Sequence, residues 1–441
     1  MKRKLIITTL LSLLISGPAM VAQENGKELS LTLKEAQDYA MQNNKMVKSA
    51  KLTVEGSQSD VWTTIASGLP QVSASAGFTD NFKLGVIFLT MNDVPTTIQM
   101  GSTYSVPMNV QVSLPLFNAP YYIGIETVKL AQKLAASNLQ NTEIDNRQSV
   151  ASAYYLILVS EESLRILKDN LANLNETLKS TKAMFNTGMA EASDVDQMAS
   201  NVTMVENSFS NLQNTIEVNY NLLRFVLGVK ADTKITLTET LDNLVKDINV
   251  QTLLSQNFNP ANNIQYDLMD KQVQMSALNL KAQKAKVLPM LSSVYAAQRA
   301  GMGNKLSDML WFSSSYFGAQ LSIPIFASGQ RYSNIQKAKI DLQKAMNTKE
   351  MVSDQLSMQE KQLKFNLQNA NLQYISQKGN VEVSKRVYSS MENKFRQGMA
   401  SSLELTQSNQ FYLQAENNYI SSLLNLLQTK LSLDKLVNNL Q

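Results

Sequence analysis

The chain is written twice, and this constrains its fold more than any other feature. Ser113-Leu114-Pro115-Leu116-Phe117 is answered by Ser322-Ile323-Pro324-Ile325-Phe326. Phe185-Asn186-Thr187-Gly188-Met189-Ala190 is answered by Phe395-Arg396-Gln397-Gly398-Met399-Ala400. Pro115 and Pro324 lie 209 residues apart, and Gly188 and Gly398 lie 210 apart. Leu69-Pro70 and Leu288-Pro289 form a third pair at a spacing of 219. Three ordered matches at nearly constant spacing describe a duplicated unit. Each copy reads as helix, Leu-Pro, strand, loop, strand, very long helix, Gly turn, long helix.

The strands are legible by alternation. Between Val106 and Leu116 the even positions are Val, Met, Val, Val, Leu and Leu, and the odd ones Pro, Asn, Gln, Ser and Pro. From Phe317 to Ile325 the odd positions Phe317, Ala319, Leu321, Ile323 and Ile325 oppose Gly318, Gln320, Ser322 and Pro324. Their hairpin partners are weaker: Val72, Ala74, Ala76 and Phe78 in one copy, and Met290 to Arg299 in the other. Period-two alternation over about ten residues fits a half-buried strand and equally a transmembrane barrel strand, apolar toward lipid and polar toward a lumen. Four strands cannot close a barrel, and an unclosed edge is not viable in lipid. Several copies must therefore contribute to one barrel; three would supply twelve strands, a number the sequence permits without requiring.

From Pro120 to Thr187 there is no further proline, and Gly124 is the only glycine. Nearly seventy helical residues at ~1.5 Å each span roughly 100 Å. Leu164, Leu167, Leu171, Leu174 and Leu178 recur at heptad spacing, as do Ile420, Leu424, Leu427 and Leu431 near the end. Residues 328–397 mirror the first long helix. Between the copies, 229–263 breaks the pattern and reads as a linker packed around the middle of a helical tube.

The first residues fix the compartment. Lys2, Arg3 and Lys4 precede an apolar stretch from Leu5 to Ile15, with small residues at Gly17, Ala19 and Ala22. This is the layout of a secretory signal peptide over 1–22, too short to span a bilayer. No later window reaches the ~20 apolar residues of a transmembrane helix, so a membrane crossing falls to the strands.

The 441 residues contain no histidine and no cysteine, which removes the commonest general base, the usual zinc and copper ligands, and cysteine nucleophiles. No phosphate-cradling glycine loop occurs, and pairs such as Glu161-Glu162 fall on exposed helix faces. An enzyme is not expected, nor a cofactor or a resident metal. The formal charge of +4, mixed in sign, gives no footprint for nucleic acid.

The constellation worth following lies at the two Gly turns. Gly188 is followed by Glu191, Asp194 and Asp196, and Gly398 by Glu404. Ser193 and Ser401 or Ser402 are expected N-caps, with acids in a first turn meeting the helix dipole. If these turns end a symmetric tube, the acids form a ring that attracts cations.

With the repeat, the S-[LI]-P-[LI]-F strand endings and the Gly-x5-[DE] tips at Gly188/Asp194 and Gly398/Glu404, the chain resembles the TolC family of outer-membrane factors. The resemblance covers nearly all of the chain after the signal peptide. It implies a mixed α/β membrane protein: a homotrimer whose 12-stranded β-barrel, four strands per protomer, continues into a long α-helical barrel in the periplasm. The first structural repeat would be 23–228 and the second 264–441, with 229–263 in an equatorial belt. It further implies a periplasmic adaptor docking at tips formed by Phe185, Gly188, Met189, Phe395, Gly398 and Met399, and an inner-membrane pump of RND or ABC type. Asp194, Asp196 and Glu404 would sit at the periplasmic entrance. Gln197 and Gln407 stand where some members carry a second acid, and phenylalanine stands at 185 and 395 where a tyrosine can lock the gate. With no cysteine, the lipid anchor of some members is not expected. The expected function is passive export of small toxic molecules; the alternatives are an exit duct for secreted protein or a stand-alone porin.

Overall fold

The computed structural model describes residues 28–91, 94–246 and 248–440. The expected signal peptide over 1–22 lies outside the described residues.

The chain opens with strand β1 (Leu29–Leu31) and helix α1 (Leu33–Asn43), whose N-cap Thr32 and Glu35 form a reciprocal capping box. Asn44 then ends α1 and starts α2 (Lys45–Ala66). Its carboxamide oxygen accepts from the N–H groups of Met46 and Val47, at 2.7 and 3.2 Å. Next come β2 (Gln71–Ala76), β3 (Thr79–Asp80), β4 (Gly85–Met91), β5 (Val94–Met100) and β6 (Tyr104–Phe117). Helix α3 (Ala119–Asn186) has 68 residues and α4 (Ala192–Leu227) has 36. The connecting segment carries β7 (Ile235–Leu237), α5 (Leu241–Lys246) and α6 (Val250–Ser255). Then follow α7 (Ile264–Ala285), β8 (Met290–Gly303), β9 (Leu310–Ser322), α8 (Gln330–Arg396) with 67 residues, and α9 (Ser402–Leu436) with 35.

The two halves run through the same succession of elements, and the caps repeat as well. Asn44 donates to the Val226 carbonyl at the end of α4, at 2.7 Å. Asn263, which caps α7, donates to the Leu436 carbonyl at the end of α9, at 2.8 Å. These asparagines are 219 residues apart, the spacing of the Leu-Pro pairs.

One antiparallel sheet takes the order β2-β6-β8-β9, with β3 continuing β2 along β6. The interruption between β2 and β3 lies opposite Pro107, which has no N–H to give the ladder. β2 plus β3, β6, β8 and β9 are thus the four expected strands, and among the described residues the sheet is open at both edges. Register puts Ser75, Asn109, Gln298 and Ser314 in one row on one face, and Val72, Val112, Tyr295 and Phe317 in one row on the other.

Two expectations need correction here. The second-copy strand does not run to Ile325; it spans Leu310–Ser322, because Pro324 cannot donate and the chain leaves the ladder. The first-copy loop also contains a hairpin, β4 with β5, that pairs with itself and not with the main sheet.

The main core lies where the helices are thickest. Ala36 and Ala40 of α1, Tyr154 and Ile157 of α3, Leu223 and Leu227 of α4, and Leu423 and Leu427 of α9 are buried together. β1 pairs in parallel with β7, so the N-terminal segment and the connecting segment are sewn to each other over this core. Nearer the tips, Leu167, Leu171, Leu174 and Leu178 of the expected heptad pack against Val202 and Val205 of α4. No helix among the described residues is long and apolar enough to cross a membrane.

Candidate functional site at the paired helix tips

Both long helices stop in the same way. At the first tip the Met189 N–H donates back to the Met184 carbonyl at 2.8 Å, and at the second Met399 does so to Lys394, also at 2.8 Å. The reversal needs a left-handed residue, supplied by Gly188 (φ 75°) and Gly398 (φ 72°). A Cβ would meet nothing within 4 Å at either position, so glycine is required for its backbone freedom alone.

The restart differs between copies. At the second tip Ser401 is the N-cap. Its N–H and Oγ donate to Glu404 Oε2 at 2.8 and 2.9 Å, and its Oγ accepts from the Glu404 N–H at 3.2 Å. At the first tip the N-cap is Glu191 and not the expected Ser193; the Glu191 N–H donates to Asp194 Oδ2 at 3.0 Å.

Asp194 does more than close its own turn. Its other oxygen, Oδ1, accepts a short hydrogen bond from the hydroxyl of Ser402, a buried residue on α9. The hydrogen bond from Ser402, then that from the Glu191 N–H, hold the Asp194 carboxyl below its ordinary pKa. Asp194 is therefore a tie between the two tips, half-buried where Asp196 is open. Asp196 and Glu404 are exposed. Glu404 is also held low, by its hydrogen bonds from the Ser401 backbone and side chain.

The two phenylalanines part company. Phe185 is exposed, whereas Phe395 is buried with Met198, Tyr388 and Leu405. Phe395 is thus a packing residue, and the outer surface at the tips is made by Phe185, Met189 and Met399. Arg396, beside the second turn, pairs with Glu392 at 2.8 Å and reaches Glu176 on α3 at 3.7 Å.

Above the tips the interface between α3, α8 and α9 is polar to a degree the sequence pattern does not disclose. Asn170 donates to Asn409 at 2.6 Å, and both side chains are buried. The Tyr388 and Tyr412 rings stack with centroids 5.8 Å apart. Burial pushes the Tyr388 hydroxyl up to about 12, and that hydroxyl has no hydrogen-bond partner among the described residues. Glu416 is buried here too, and desolvation raises its pKa against the lowering effect of a hydrogen bond with Tyr412 and of Lys385. A cavity of about 330 Å³ opens beside these groups. Among the described residues no group of three or more acidic side chains is placed to hold a metal ion.

An open-edged sheet standing on paired helices, one of which would span about 100 Å, defines a class: the protomer of a channel that joins a β-barrel to a helical duct. The family model described as outer membrane efflux protein matches residues 37–229 and 265–439, leaving out most of the connecting segment. The chain belongs to that family.

The chain is 22% identical over 326 residues to the probable outer membrane lipoprotein SilC of Salmonella typhimurium, a match covering 70% of this chain and 64% of that relative's length. Among solved structures it superposes on CusC with a TM-score of 0.73 at 17% identity, covering 95% of both chains. On VceC of Vibrio cholerae, an outer membrane protein, the TM-score is 0.72 at 14% identity, covering 92% of this chain and 95% of that one.

Proposed function

We propose that three copies of this chain form the outer-membrane exit duct of a tripartite export system. In this reading a periplasmic adaptor joins the tips to an inner-membrane pump, and small toxic molecules leave passively through the duct. The observation that carries it is the sheet order β2-β6-β8-β9 with both edges unpaired. An open edge in lipid leaves backbone groups without partners, so β9 of one copy must pair with β2 of the next until the ring closes. Three copies give twelve strands, and the same ring arranges six long helical hairpins as a tube below.

The names of the relatives support the export reading: the family is one of efflux proteins, and SilC is named as an outer membrane lipoprotein. At the tube's entrance Asp196 and Glu404 supply the negative ring, with Asp194 holding the tips together from within. Met189 and Met399, beside the two glycines, are the surface an adaptor would meet. The native mass of the protein extracted from outer membranes tests the assembly. A species three times the mass of the mature chain is expected, and a monomer that retains conductance would overturn it.

A further inference from the structure

Between the Val106 and Leu116 rows, the outward face of the barrel carries one charge where the pattern calls for none. Val106, Met108, Val110, Val112 and Leu114 of β6 lie on one face with Val72, Phe317 and Leu321. That face is mainly apolar, with Ser293, Ser313 and Ser315 among its small residues, and turns to lipid; Asn109, Gln111, Ser113 and Gln298 line the other. From Val106 to Leu116, at ~3.3 Å per residue and a tilt near ~40°, the apolar band is about 25 Å tall, the height of the apolar band of membrane barrels.

Arg299 belongs to the lipid face, since it pairs with Met108 on one side and Ser313 on the other. It is one row inside the Val106-Gly301-Trp311 row, at the end of the sheet away from the helices and therefore in the outer leaflet. The position is built. The indole of Trp311 lies across Gly301, where even a Cβ would come within 3.1 Å of the ring. The Arg299 guanidinium sits 5.1 Å from that ring's centroid. Phe78 and Tyr104 stack at 6.0 Å in the outer rows and continue the aromatic girdle. Arg299 is exposed and makes no ion pair among the described residues. A guanidinium at the edge of hydrocarbon needs an anion, and stacking on an aromatic plane leaves its hydrogen-bonding edges free to receive one.

We propose that Arg299, held on Trp311 over Gly301, is a clamp on the barrel's outer wall for a phosphate of an anionic outer-leaflet glycolipid. The lipid's acyl chains lie along the apolar rows below, and its phosphate takes two N–H groups of the guanidinium. Charge complementarity selects the occupant: between the Val106 and Leu116 rows Arg299 is the one charge on this face, its depth is that of a headgroup, and it has no ion-pair partner among the described residues. The clamp rests on the barrel crossing the outer membrane, as proposed above.

Native mass spectrometry of the protein extracted from outer membranes tests it, with diphosphorylated lipid A added and the same lipid stripped of phosphate as the comparison. The wild type is expected to hold the phosphorylated lipid at least about tenfold more tightly than the stripped one, the scale of one charge-assisted bidentate contact. Arg299→Gln should erase that preference, and Trp311→Phe should reduce it. Inorganic phosphate should not displace the lipid. Equal retention of the two lipids by the wild type would overturn the clamp whether or not the variants assemble. So would an undiminished preference in an assembled Arg299→Gln protein. Phosphate-selective retention by a species of other than three chains would uphold the clamp and sink the trimer.

Discussion

Replacing Ser402 with alanine removes a hydroxyl that joins one tip to the other, through Asp194 and, at 3.2 Å, Gln197. Hydrogen bonds to charged groups contribute about 1.5–3 kcal/mol. The low end applies here, because Ser402 is buried while Asp194 is only half-buried and regains water on its open side. The expected cost is about 1.5 kcal/mol, or roughly tenfold faster local opening. Hydrogen exchange at the amides of 188–197 and 398–405 reads it directly. Asp194→Ala should cost more, since it also frees the Glu191 N–H, and adding Ser402→Ala to it should cost little further, since both remove the Ser402–Asp194 bond. The pH dependence fixes the sign. Asp194 has a folded pKa below its ordinary 3.8, so the stabilisation is present above that value and is lost as pH falls through the depressed folded one. The gap between wild type and Ser402→Ala should hold at neutral pH and close in strong acid. Costs that add fully in the double variant, or a gap indifferent to acid, would refute the tie.

Neutralising Asp196 and Glu404 together should reduce cation preference in a planar bilayer, and unchanged selectivity would remove the entrance ring. Tyr154→Phe should lower stability by about 1–3 kcal/mol in thermal unfolding, because its fully buried hydroxyl donates to the Leu31 carbonyl at 3.0 Å and accepts from the Glu239 N–H at 3.4 Å. Glu416→Gln should raise the unfolding midpoint at neutral pH. The folded pKa of Glu416 is raised by burial, so ionisation costs stability above the ordinary carboxylate value of 4.5 and costs none well below it. The Glu416→Gln gain should vanish in acid; a gain of equal size at every pH would point to packing instead.

The sequence discloses what is periodic or repeated. The Leu-Pro pairs and Phe-x-x-Gly turns locate the hinges of both halves, and alternation from Val106 to Leu116 marks the more apolar face of the sheet. What it hides depends on partners far away in the chain. Ser193 and Glu191 compete to cap α4, and the choice is made by the geometry of the turn, which no pattern encodes. Asp194 reads as one more surface acid until folding brings Ser402, 208 residues away, against it. Phe185 and Phe395 are equivalent in the repeat, yet only Phe395 meets Met198 and Leu405, because the two copies pack against different neighbours. Asn170, Asn409 and Glu416 lie on helices whose polar residues read as solvent-facing, and only the third helix covers them. The hairpin β4–β5 lay within a segment expected as loop.

The central claim is that these tips receive a periplasmic partner. Photo-crosslinking in living cells tests it most directly, with a reactive residue at exposed Met399 and a control at buried Phe395. Capture of a periplasmic adaptor from Met399 and not from Phe395 is the expected result. No adduct at Met399, in cells where the adaptor and pump are produced and the protein is trimeric in the outer membrane, would contradict it.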